Sequence, residues 1–140
     1  MDQKSRDVEN QYHHLVSERD YVKALQLITQ NFDSFPKHAK GVVYFWKMKM
    51  ACKLGDGSLA LETLREAVEQ GYWYVNLDKN PDFAFLADSG EFHDLVKLCE
   101  RQRAEDIAQT KSVMRVLEPE PSSGKHPLLF ALHCMATAVM

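Results

Sequence analysis

Ala24 and Ala60 stand 36 residues apart, each inside an apolar stripe of helical spacing. Each is followed four residues later by a branched apolar residue, Ile28 and Leu64. A small residue at matching places in two stripes has a direct physical meaning. Helices whose axes approach to about 8–10 Å cannot hold large side chains on both facing surfaces. The spacing therefore predicts two helix pairs, each closed over a small residue, and an all-α fold.

The flanking sequence fits that expectation. Residues 4–17 carry Val8, Tyr12, Leu15 and Val16 on one stripe. Residues 17–20 read as a turn, with Ser17 or Asp20 able to cap the helix expected over 21–32. Tyr21, Leu25, Ile28 and Phe32 share a face of that helix, and Pro36 marks the passage into the next. The third helix, expected over 37–54, is crowded with Val42, Val43, Tyr44, Phe45, Trp46, Met48 and Met50. Only Lys40, Lys47, Lys49 and Lys53 relieve it, so it should lie between neighbours. Gly55 suits its left-handed C-terminal cap. A fourth helix over 58–70 turns Leu61, Leu64, Ala67 and Val68 inward and stops at Gly71. Residues 72–87 are irregular, yet too apolar for a solvated loop, and are expected to fold back over the helices. The series Asp88, Ser89, Gly90, Glu91 has capping-box spacing. It opens a last helix with Phe92, Leu95, Val96, Leu98 and Cys99, expected to end near Arg103.

Composition narrows the function classes. Lys plus Arg is 17 against 20 Asp plus Glu, a formal charge of −3, so nothing in bulk favours nucleic acid or an anionic membrane. An apolar fraction of 45% with 26% charged residues argues against wholesale disorder. Three Cys with no close pair point to a reducing cytoplasm rather than a disulfide framework. The charged start, through Asp7, does not read as a signal peptide. The apolar run 127–140 is shorter than the roughly 20 residues a bilayer requires, and His133 interrupts it.

A period in the mid-thirties built from two helices resembles the tetratricopeptide repeat over residues 5–72. Ala24 takes a small position of the first repeat and Pro36 its terminal proline; Ala60 and Ala67 take both small positions of the second. The family's Trp and Gly of the first helix are missing in both. The helix from Asp88 would then serve as a cap. The resemblance implies a concave groove lined by the first helix of each pair. Aligned on the alanines, Arg6, Glu9 and His13 of the first repeat and Phe45, Lys49 and Lys53 of the second face that groove. Lys49 and Lys53 lie four apart on one helix face, suited to a carboxylate of an extended peptide. The alternative is that they simply solubilise the helix.

The sequence changes character after Arg103. Residues 112–119 alternate like a strand, 118–125 form a turn-rich linker, and 126–133 read as a buried strand. This succession, ending in Leu132-His133, resembles the opening of an esterase-type α/β-hydrolase domain. In that family the strand ends in His-Gly, and the following loop supplies an oxyanion-hole amide. Here Cys134 takes the Gly position, and no Gly-x-Ser-x-Gly occurs in the chain. The tail is therefore expected to be a truncated hydrolase start. One permitted codon choice for residues 133–139 reads, one base over, as Leu-His-Gly-Asn-Ser-Gly, so 134–140 are expected to be read out of frame. The alternative is a C-terminal hairpin on the helices.

Other constellations carry less. His13 and His14 with Glu18 offer too few ligands for a metal site. Cys52 and Cys99 sit on apolar faces as small hydrophobes, and His93 as a surface residue. Residues 122–125 lack the first Gly of a phosphate loop. Asp78 and Asp82 flank Asn80-Pro81 without calcium-loop spacing and read as capping and turn residues.

The expectation is an all-α protein of tetratricopeptide-like antiparallel hairpins over 1–104 with a capping helix, then a linker and β-prone tail over 105–140. Its expected role is non-catalytic, without cofactor or metal. It would bind a protein or peptide, or pack on a hydrolase domain absent from the chain. The alternative is the N-terminal part of a serine esterase or peptidase, inactive as a fragment. A second alternative is a structural oligomerisation module, with a homodimer as its partner state.

Overall fold

Asp2 opens the first helix: its carboxylate accepts the Ser5 N–H at 2.9 Å, an N-cap for α1 (Gln3–Ser17). Asp20 caps α2 (Tyr21–Gln30) through the Lys23 N–H, and Asp56 caps α4 (Gly57–Glu69) through the Leu59 N–H at 3.0 Å. Between them lies α3 (Lys37–Lys53), entered from Pro36. Three 3-10 turns complete the irregular parts: Phe32–Ser34, Leu77–Lys79 and Pro81–Leu86. The last helix is α5 (Gly90–Val116). The computed structural model describes residues 2–116, and these are all-α, with no strand among them.

Three-residue turns fold α2 back on α1 and α4 back on α3. Both turns are built alike, 36 residues apart. In the first, the Asp20 N–H reaches Leu15 O at 2.9 Å, the Arg19 N–H reaches Val16 O, and Arg19 has φ 61°. In the second, the Asp56 N–H reaches Ala51 O at 2.8 Å, the Gly55 N–H reaches Cys52 O, and Gly55 has φ 72°. These are Schellman closures followed at once by an aspartate N-cap. The end of α4 repeats the closure, with Tyr72 N–H to Ala67 O and Gly71 at φ 92°. Ala24 and Ala60 are fully buried at the matching positions, as are Ile28 and Leu64 beside them.

Helix α3 belongs to two apolar clusters. Val43 and Met50, with Trp46 against them, pack with Val8, Tyr12, Ala24, Ile28 and Phe35. Met48, Ala51 and Cys52 pack with Ala60, Leu64, Leu77, Phe83, Leu86 and Phe92. The helix is apolar nearly all round because it is sandwiched.

Two expectations are corrected. The cap of α5 is Ser89, whose Oγ accepts the Phe92 N–H at 3.2 Å, and not Asp88. Glu91 does not reach back to close a capping box; it pairs with Arg65 of α4. The helix also runs past Arg103 to Val116, so 112–116 are helical where alternation predicted a strand. No Gly or Pro falls between Glu91 and Glu118 to stop it. Asp106 accepts from Gln102 at 3.1 Å and its carbonyl from Thr110 at 2.9 Å, both at helical i,i+4 spacing. The strand expected over 126–133 and the linker before it lie outside the described residues, as do residues 134–140. The chain divides into two compact units, Met1–Glu100 and Arg101–Met140. The site considered next belongs wholly to the first.

Candidate functional site

The residues expected to line a groove fall on α1 and α3, which meet through aromatic rings. Tyr12 stacks on Trp46 with ring centroids 4.7 Å apart, and His13 meets the same indole edge-on at 5.2 Å. Glu9 lies 3.7 Å from the exposed His13 imidazole. Arg6 is exposed on the same helix. Burial, and secondarily the Asp82 charge, push the Tyr12 phenol well above its usual range.

The α3 half is occupied by the chain itself. Residues 72–86 lie along one row of α3 positions spaced by four. The Tyr72 hydroxyl donates to Lys37 O at 2.7 Å, and the Tyr74 hydroxyl to Gly41 O at 2.6 Å. Phe45 meets Tyr74 at 5.7 Å and Phe83 edge-on at 5.4 Å. Asp82 pairs with Lys49 at 3.6 Å and Lys53 at 3.9 Å. Phe85 comes against Gly57, where α4 begins. Strap residues thus reach each position of the row 37, 41, 45, 49, 53 in turn, running in the same direction as α3 and leaving Lys37 and Lys53 at its ends exposed. Gly41 makes the close approach possible, since a Cβ there would stand 2.8 Å from the Tyr72 ring.

The strap holds its shape by local bonds. Asn80 Oδ1 accepts the Asp82 N–H at 2.9 Å, setting the Pro81–Leu86 turn and aiming Asp82 at the lysines. Asn76 takes φ 58°, a left-handed conformation that asparagine tolerates better than most residues. Leu77, Phe83 and Leu86 are buried beneath the strap.

Electrostatically, two lysines share one carboxylate, leaving one positive charge in excess at a half-buried spot. The Lys49 ammonium also lies 5.9 Å from the Phe45 ring centroid. Sequence reasoning placed Phe45, Lys49 and Lys53 on one face, and the structure brings them together. It missed Asp82 as their counter-charge and Tyr12 and Trp46 as the link between helices. Asp82 lies 33 residues from Lys49, and no local periodicity connects them.

The other candidates are placed as follows. His14 pairs with Glu18 at 3.1 Å on an exposed face. The His93 ring lies 2.7 Å from Ala87 O. Cys52 and Cys99 are buried, and burial raises both thiols, that of Cys52 to about 11. Among the described residues no group of three or more His, Cys, Asp or Glu side chains could hold a metal ion. No helix among them is long and apolar enough to cross a membrane.

The decisive comparison is with protein families: the model of the A/B hydrolase-like N-terminal domain matches residues 5–108. The chain belongs to this family. The match takes in α1 to α4, the strap and most of α5. In this chain the matched residues are helical, and they include the cluster of Lys49, Lys53 and Asp82. No curated protein and no solved structure matches the chain.

Proposed function

We propose that this A/B hydrolase-like N-terminal domain is a non-catalytic helical module. It packs beside an α/β-hydrolase domain that a longer form of the protein carries, a serine esterase or peptidase by class. The observation that carries the reading is the coincidence of the family match with the helical elements. The resemblance of 126–133 to the first strand of such an enzyme agrees with it. In this reading the helical domain spans 1–104 and 105–140 lead into the hydrolase start. Buried, unpaired Cys52 and Cys99 favour a cytoplasmic setting.

The test is chemical. The purified 140-residue chain is expected neither to hydrolyse p-nitrophenyl butyrate nor to label with a fluorophosphonate. A longer product of the same gene, carrying a Gly-x-Ser-x-Gly elbow, is expected to do both. Turnover by the short chain overturns the reading, and so does an unlabelled longer product.

A second reading keeps the tetratricopeptide-like groove and a peptide or protein as its partner. The 36-residue correspondence of turns, caps and buried alanines supports it. Arg6, Glu9 and His13 supply its open half, and Phe45, Lys49 and Lys53 the half under the strap. A neutralising set, Arg6→Gln with Lys49→Met and Lys53→Met, is expected to abolish capture of an oligoglutamate peptide; undiminished capture removes the groove.

A further inference from the structure

We propose that Asp82 is a built-in occupant of the Lys49–Lys53 site, and that this site accepts the carboxylate of an acidic peptide segment when Asp82 yields it. The inference rests on the groove reading and is independent of the hydrolase reading.

Three observations carry it. The strap follows the α3 row from Lys37 to the start of α4 and seats one peptide carboxylate, that of Asp82, on the lysines. The body of the strap and its Asp82 side chain are held differently. At Tyr72 and Tyr74 it is fixed by hydroxyl-to-carbonyl bonds, and Phe83 and Leu86 anchor it in the core. At Asp82 it is held to the lysines by two long ion pairs whose groups are 29–43% exposed. Pairs of that exposure contribute little net stability, so an incoming carboxylate displaces Asp82 from the lysines at small cost. The third observation is charge. The lysine pair carries one more positive charge than Asp82 cancels, so an acidic group is attracted even before Asp82 moves. The Phe83 and Leu86 anchors remain in place; only the Asp82 side chain turns away. The occupant is acidic peptide because the group now seated on the two lysines is itself a carboxylate carried on a peptide segment, that of Asp82.

The experiment uses the full chain and two labelled probes, an oligoglutamate peptide and an oligoglutamine peptide of the same length, followed by fluorescence anisotropy. Asp82→Asn frees both lysines and is expected to tighten oligoglutamate binding about fivefold relative to the natural chain. Oligoglutamine binding should stay unchanged, and the gain should vanish in high salt. Adding Lys49→Met and Lys53→Met to Asp82→Asn should erase the gain. In parallel, Lys49→Met with Lys53→Met alone should leave hydrogen exchange at the Phe83 and Ala84 amides unchanged, since the buried Phe83 and Leu86 hold the strap without the ion pairs. This readout does not depend on any variant of Asp82 folding. Equal binding by the natural chain and Asp82→Asn, with both sensitive to the lysines, sinks the occupant idea and leaves the groove intact. Oligoglutamate binding no tighter than oligoglutamine in every variant sinks both. Raised exchange at Phe83 and Ala84 means the ion pairs hold the strap in place and overturns displacement of Asp82 at small cost.

Discussion

Arg19 holds φ 61° in the first turn, where the second turn has Gly55 at φ 72°. A Cβ in the left-handed region costs roughly 1–2 kcal/mol, partly offset by the freedom glycine loses on folding. Arg19→Gly is therefore expected to stabilise the chain by up to about 1 kcal/mol, read as a higher urea midpoint at unchanged slope. The buried acids point the other way. Burial raises Cys52 to about 11, and burial with the hydrogen-bonded Glu66 carboxylate raises Tyr44 to about 12. In each case the native state keeps its proton after the unfolded chain has lost it. Stability from these groups is whole at neutral pH and falls as pH rises through the ordinary thiol and phenol range. Calorimetry should show a melting temperature that declines above about pH 9. A Cys134→Ser chain should resist thiol reagents until it is denatured. The thiols' burial was legible from their apolar neighbours in sequence. The position of Arg19 in a glycine's conformation was not, because nothing local in its sequence demands it.

At the scale of elements, the four helices of the two hairpins were legible because each carries its own stripe and its own stop. The cap of α2 was legible in Asp20, offered beside Ser17, whereas Asp2 and Asp56, which cap α1 and α4, were not read as caps. At α5 the expected cap was Asp88; Ser89 takes the place instead, and Glu91 pairs with Arg65 on another helix, a pairing no local pattern encodes. The run of α5 to Val116 was hidden by five alternating residues, which fit a strand or a helix end equally. The face shared by Phe45, Lys49 and Lys53 was legible, and so was the return of 72–87 over the helices; the pairing of Asp82 with those lysines was not, since it depends on α4 carrying the chain back. The hairpin packing makes a direct forecast. Ala24 and Ala60 are both fully buried, so Ala24→Leu or Ala60→Leu should cost about 1–3 kcal/mol or more by overpacking, measured by urea unfolding. Ala→Ser at either place should cost less.

The whole Met1–Glu100 unit turns on α3, which supplies side chains to both apolar clusters. A shared helix ties the fate of one cluster to the other, so the unit is expected to unfold as one. The two tryptophans report separately: Trp46 packs on the α1–α2 side and Trp73 on the α4–α5 side. In Trp46→Phe and Trp73→Phe chains, the remaining indole's fluorescence should trace the same urea midpoint as helical circular dichroism in that same chain. Separate midpoints would mean two independent cores. The family assignment belongs to this scale as well: residues 5–108 are matched as a body of helices, whereas single motifs in the sequence pointed only to fragments of it.

The strap that covers α3 is drawn from residues translated after α4. While a ribosome is still delivering residues up to Leu86, the emerging α3 has its neighbours on two sides and nothing over Phe45, Lys49 and Lys53. A pause anywhere in that interval leaves an oily, cationic stripe open to solvent and to folding helpers that seize such stripes. The growing chain closes it with its own next dozen or so residues, and Asp82 is among the last to arrive.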